Sequence, residues 1–138
     1  MPDTPAVQSP PPIVGVIDPD PVARNGLRAL LHRLGVDVST FESAESYLLA
    51  AGGRNLACLI VDLLLPGMSG LELYEALVTS GDRIPTVLIT GHPEEVAQAR
   101  AREAGITCYL SKPFAPDDLL RCVGEALAKA QAGAIPKS

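Results

Sequence analysis

Five short apolar runs alternate along the chain with stretches in which apolar residues recur every three or four positions. The runs are Ile13 to Ile17, Val36 to Phe41, the stretch through Leu56, Leu59, Ile60 and Val61 to Asp62, Ile84 to Thr90, and Ile106 to Leu110. Short, almost fully apolar runs closed by turn residues predict buried parallel strands, and the i, i+3, i+4, i+7 pattern predicts amphipathic helices. The second run alternates apolar and polar, which suits a half-buried outer strand. Pro85, near the start of the fourth run, is tolerable there.

The helical stretches carry their own punctuation. Asp20 fits an N-cap and Pro21 a first helical residue; Leu27, Leu30, Leu31 and Leu34 face inward, and Gly35 closes the helix. Ser43 caps a second helix with Ala44, Tyr47, Leu48 and Ala51 inward, stopped by Gly52 and Gly53. Ser69 and Glu72 fit a capping box for a third, whose inner face is Leu73, Tyr74, Leu77 and Val78 and which Gly81 ends. Gly91 and Pro93 lead into a fourth helix, Glu94 to Ala104. Its inner face of Val96, Ala97, Ala101 and Ala104 is small, so at ~25 cal/mol per Å² it is expected to be the most weakly held. Pro116 opens a fifth, with Leu119, Leu120, Val123 and Leu127 inward and no side-chain cap at Ala115. Five β-α units demand a parallel sheet with right-handed crossovers and helices on both faces. The doubly wound order 2-1-3-4-5 then sets the first and third strands side by side at the switch point.

Composition narrows the class. The 138 residues suit one domain, and 47% hydrophobic residues can bury a core built from aliphatic side chains, since aromatics are only 4%. A net charge of −5 and the lack of a basic run argue against direct nucleic-acid binding. No apolar stretch approaches the ~20 residues that span a bilayer, and the start lacks the charged and apolar segments of a signal peptide, so a cytoplasmic, non-membrane protein is expected. The proline-rich residues 1–12 read as a disordered tail, 13–130 as the domain, and 131–138, with AGAIPKS resembling a linker, as a C-terminal tail. Cys58, Cys108 and Cys122 match no zinc or redox spacing and read as three small buried or half-buried thiols.

Candidate chemistry gathers at the strand ends. Asp18, Asp62, Thr90 and Lys112 follow the first, third, fourth and fifth runs, and in a parallel sheet those tips share one edge. Each alone has an ordinary explanation, as a cap, a turn residue or a solvated lysine. Together, two carboxylates, a hydroxyl and an ammonium suit phosphoryl transfer. A carboxylate can hold the group as an acyl phosphate, while the cation and hydroxyl meet the charge on its equatorial oxygens. A divalent metal such as Mg²⁺ would offset the remaining repulsion.

The segments VIDPDPVAR, VDLLLPGMSGLEL, VLITGH and AGITCYLSKPF resemble the receiver domain of bacterial two-component response regulators, especially FixJ-type receivers, over about residues 13 to 130. The resemblance implies a flavodoxin-like (βα)5 fold and a signalling domain, not an enzyme, that is phosphorylated by a sensor histidine kinase or phosphotransfer protein. It implies Asp62 as phosphoacceptor, Thr90 as switch hydroxyl and Lys112 as phosphate-binding lysine. Tyr109 matches the rotating aromatic of an output face formed by the fourth helix, fifth strand and fifth helix. Asp18, Asp62 and the backbone carbonyl of Leu64 match the Mg²⁺ ligands. The Lys112–Pro113 bond is expected to be cis. A downstream protein or output domain is the implied partner, and a weak homodimer through the output face is a further expectation. No DNA-binding output domain is expected within the residues given after the fifth helix, which leaves open a stand-alone receiver or a piece of a longer regulator.

One position departs from the family. A second acidic residue normally follows the first, and here it is Pro19, which supplies no ligand. Asp20 could reach in, but it is also the expected helix cap. Weakened Mg²⁺ affinity and slower or absent phosphorylation are expected, so the alternative reading is a receiver-like interaction module that binds partners without phosphate. A third reading, a small flavin-binding protein, lacks the Ser/Thr/Gly-rich phosphate loop after the first strand. The apolar Leu64, two residues past Asp62, cannot orient an attacking water, which predicts a long-lived acyl phosphate. His32 and His92 read as solvated residues and Met68 as packing in the turn. A side chain at Gly91 is expected to narrow access to Asp62.

Overall fold

The five apolar runs lie in one sheet with every strand parallel. The computed structural model describes residues 10–50 and 55–134. Strands β1 (Ile13–Ile17), β2 (Asp37–Phe41), β3 (Leu56–Asp62), β4 (Thr86–Thr90) and β5 (Cys108–Ser111) pair in the expected order β2-β1-β3-β4-β5. The connecting helices are α1 (Pro21–Leu31), α2 (Ala44–Ala50), α3 (Gly70–Thr79), α4 (Glu95–Ala104) and α5 (Pro116–Ala134). The last helix runs four residues past position 130, where a tail was expected.

Strand alternation divides the core in two, because successive side chains point to opposite faces. Along β3, Cys58 and Ile60 join Val14, Val16, Val87 and Ile89 against α1 and α5 residues Leu27, Leu31, Leu119 and Val123. Leu59 and Val61 face the other way, joining Ile17 and Leu88 against Tyr47, Leu71, Leu73, Leu77 and Ala101. With both faces covered, β3 can be apolar throughout until Asp62, which is why its sequence reads as an unbroken run.

Capping follows the sequence closely. Asp20 accepts the Val22 amide at 3.0 Å with Pro21 at the first helical position, and the Ser69–Glu72 capping box is complete. The Ser43 hydroxyl accepts the Ser46 amide at 3.0 Å.

Three predicted inward residues face out. Leu34 falls in a 3-10 turn, His32–Leu34, which Gly35 closes at φ +71°; the tighter turn rotates Leu34 off the inner face. Leu48 is exposed because the short α2 buries only Ala44 and Tyr47, while Ala51, Gly52 and Gly53 lie outside the described residues. Val96 is also exposed. Among the residues of α4 only Ala101 is fully buried, so this helix is held even more thinly than its sequence suggests.

The cysteines also differ from expectation. Cys58 is a buried free thiol, but Cys108 and Cys122 are joined as a disulfide. Cys108 lies on the face of β5 that looks toward α5, and Cys122 on the inner face of α5, with Cα atoms 6.0 Å apart. Partners 14 residues apart on different elements leave no motif in the sequence.

Candidate functional site

Sheet register brings the strand tips together. Ile17 pairs with Val61, so the next residues, Asp18 and Asp62, stand side by side. Thr90 pairs with Ser111, so Lys112 follows directly beyond β4 and β5, and its amide donates to the Thr90 carbonyl at 2.7 Å. Lys112 then reaches back across the sheet edge. Its Nζ donates to Asp62 Oδ2 at 2.9 Å and to Asp18 Oδ2 at 3.1 Å. Three residues from three strand ends thus form one charge-assisted cluster, with Asp18 fully buried and Asp62 7% exposed.

Each carboxylate is also held from behind. Asp18 Oδ1 accepts the Asp20 amide and Asp62 Oδ1 accepts the Leu64 amide, both at 2.9 Å. The Leu63 amide donates to the Ile89 carbonyl at 2.8 Å and the Gly70 amide to the Leu63 carbonyl at 2.9 Å, which pins the turn after β3. Gly70 is buried against that turn: an added Cβ would collide with the Asp62 backbone carbonyl and approach Val61 within 2.9 Å. Arg24, which sequence reasoning passed over, donates from Nη1 to the Asp18 carbonyl at 2.7 Å. Its position one turn into the helix after Asp18 was the available signal.

The remaining predicted residues are close by but differently engaged. Thr90 is fully buried at the tip of β4, and its Oγ accepts the His92 amide at 2.9 Å. Tyr109 packs on the α3 and α4 side, and its buried hydroxyl has no hydrogen-bond partner among the described residues. Leu64 is exposed, as is His92. Asp20 is committed to its cap. A Cβ at Gly91 meets nothing within 4 Å. The Lys112–Pro113 peptide is cis, as expected.

The electrostatics follow from burial and pairing. Burial pushes the Asp18 carboxyl above 3.8, and the nearby Asp62 charge adds to the rise, although the Asp20 amide and Lys112 oppose it. For Lys112 burial acts downward, but the hydrogen bonds and charges of Asp62 and Asp18 outweigh it, so the ammonium is held above 10.5. A lysine raised in the folded state contributes stability that is complete below its ordinary value and is lost as pH rises through the folded one. Urea midpoints measured against pH are therefore expected to carry a Lys112 step above about 10.5, on top of the decline that the buried Cys58 thiol starts near 9 and Tyr47 and Tyr74 start near 10. The Lys112→Met protein should start less stable and lack that alkaline step; an unchanged step would show that another group is responsible.

As a metal site the donor set is sparse. Among the described residues no three His, Cys, Asp or Glu side chains form a ready cage. Asp18 and Asp62 nevertheless fit a hard cation such as Mg²⁺, which takes one or two carboxylates and completes its shell with carbonyl, water or phosphate oxygens. Pro19 adds nothing to them.

Comparison with known proteins gives a consistent picture. The family model described as response regulator receiver domain matches residues 14–124. The response regulator protein TmoT of Ectopseudomonas mendocina is 33% identical over 115 residues, covering 83% of this chain and 52% of that protein. The transcriptional regulatory protein FixJ of Bradyrhizobium diazoefficiens is 31% identical over 119 residues, covering 86% of this chain and 58% of that protein. The chain thus spans about half the length of these curated relatives. Among solved structures, the crystal structure titled FixJ-N superposes with a TM-score of 0.77 at 28% identity, covering 96% of this chain and all of that one. The response regulator StyR gives 0.78 at 39% identity, covering 88% and 62%.

Proposed function

The chain belongs to the response regulator receiver domain family, and on that premise we propose that it accepts a phosphoryl group on Asp62 from a histidine kinase or a phosphotransfer protein. The observation that carries this reading is Lys112 Nζ bonded to both Asp62 and Asp18 at one sheet edge. An Asp62 carboxylate oxygen attacks phosphorus as the bond to the donor imidazole breaks, and the imidazole leaves with the electron pair and takes a proton. Lys112 exchanges a carboxylate partner for a phosphoryl oxygen, and the Thr90 hydroxyl, whose oxygen already accepts the His92 amide, donates its proton to another. Asp18, Asp62 and the Leu64 carbonyl would hold Mg²⁺, which supplies charge neutralisation for the incoming anion. With Pro19 in place of an acid, that affinity is weakened.

The output is a change of partner preference on the face of α4, β5 and α5. Tyr109 lies on β5, and the thin packing of α4 makes it the element that moves at least cost. The partners of that face are a downstream protein, an output domain or a second copy of the chain, in the cytoplasm.

Incubation with acetyl phosphate and Mg²⁺ tests the reading. The intact mass is expected to rise by one phosphoryl group in the wild type and not in Asp62→Asn, and the label is expected to outlast minutes because Leu64 cannot orient water. No uptake would assign the chain instead to constitutive binding without phosphate. Loss within seconds would remove the role given to Leu64.

A further inference from the structure

Sulfur ties together both ends of the segment that carries Lys112. Cys108 opens β5, an edge strand, and Cys122 lies in the second turn of α5. Between them stand Tyr109, Lys112 and Phe114. The two sulfurs differ in access. Cys122 is 1% exposed, whereas Cys108 is half-buried, with its Sγ 3.7 Å from the carboxylate of Glu125 at the surface. Glu125 in turn lies 3.7 Å from Arg121. α5 does not need the bond to stay docked, since Leu119, Val123 and Ala126 are buried in the same core and a reduced Cys122 would pack there as a small apolar side chain. The third cysteine stays apart: Cys58 is fully buried, and burial pushes its thiol up to about 12.

We propose that Cys108 and Cys122 form a reversible thiol–disulfide couple that sets how firmly the Lys112 segment is held between β5 and α5. The exchange partner is a small soluble thiol and its disulfide, of the glutathione class. In reduction, the external thiolate attacks the reachable Cys108 Sγ. The protein S–S bond breaks with its electron pair going to Cys122 Sγ, which takes a proton. A second external thiolate then attacks the mixed disulfide, leaving the small disulfide and a Cys108 thiol. Two external thiols are oxidised as one protein disulfide is reduced, and oxidation runs the same steps backwards. In a compartment that keeps thiols reduced, an accessible pair of this kind is a sensor more often than a brace. The closed form holds Tyr109 and Lys112 on a short tethered loop, and the open form leaves them to the Lys112 bonds with Asp62, Asp18 and the Thr90 carbonyl and to the core contacts of Phe114.

The test uses the full chain without any phosphoryl donor, so it fails or succeeds apart from the role of Asp62. Protein is equilibrated in graded mixtures of reduced and oxidised glutathione, trapped by alkylation and weighed. Both forms are expected within the range of the mixtures, with the reduced form alkylated at half-buried Cys108 while folded, and at Cys122 and Cys58, which are buried in the same core, only after unfolding. The reduced form should remain folded, melt about 10 °C lower, and exchange the amide protons of residues 109–112 and 114 about fivefold faster or more. Cys108→Ser, at the half-buried position, should show the fast exchange in every mixture. A pair that stays closed in millimolar reduced glutathione, a pair that never closes in oxidised glutathione, or equal exchange in the two forms would each overturn the proposal.

Discussion

Replacing Pro19 by Asp should tighten Mg²⁺ binding by about tenfold or more. The position follows Asp18 at the tip of β1, beside Asp62, and Pro19 offers no oxygen from its side chain. Asp20 is expected not to substitute for it, because one of its carboxylate oxygens already accepts the Val22 amide as the cap of α1. The variant carries a third carboxylate next to one ammonium, so it should also be less stable without metal, by about 1 kcal/mol, and recover that loss as Mg²⁺ is added. Titration followed by NMR shifts around Asp62, together with melting in the presence and absence of Mg²⁺, measures both signs. Asp20→Ala is the companion: it should cost about 1 kcal/mol as a lost cap and leave Mg²⁺ affinity unchanged. If Pro19→Asp binds no more tightly, or Asp20→Ala binds more weakly, the donor set described here is wrong.

Gly70→Ala is expected to cost about 3 kcal/mol and lower the melting temperature by about 10 °C. A methyl group there meets the backbone carbonyl of Asp62, which cannot swing aside without disturbing the tip of β3. The Gly70 amide also donates to the Leu63 carbonyl, so the turn can yield only by breaking that bond. The same change at Gly26, on the exposed side of α1 with nothing within 4 Å, should be neutral or stabilising by up to about 1 kcal/mol, because alanine favours a helix. Thermal melts of the two variants compare one chemical change in two settings. Equal effects would contradict the packing described around Asp62.

Pro19 and Gly70 illustrate different degrees of legibility. Pro19 could be interpreted from sequence only through the family resemblance, which implies a second acidic residue at that position. Gly70 carries no such mark in the sequence, since its close approach to Asp62 depends on how α3 returns to the sheet. Leu34, Leu48 and Val96 lie off the inner faces that their spacing predicts for a related reason. Helical period identifies a face but not where a 3-10 turn or a short helix takes a residue off it. The Cys108–Cys122 bond left no local signal at all.

From sequence alone came the alternation of strands and helices, their caps, the parallel sheet and the four polar residues at its carboxyl edge. These depend on local periodicity, on turn chemistry and on the few connections that a βα repeat permits. Tertiary structure decided that Lys112 bridges both carboxylates, that Arg24 braces the Asp18 carbonyl, that Gly70 is crowded and that two cysteines meet. Each of those facts is a distance between residues far apart in the chain, set by strand register and helix docking, which no single segment encodes by itself.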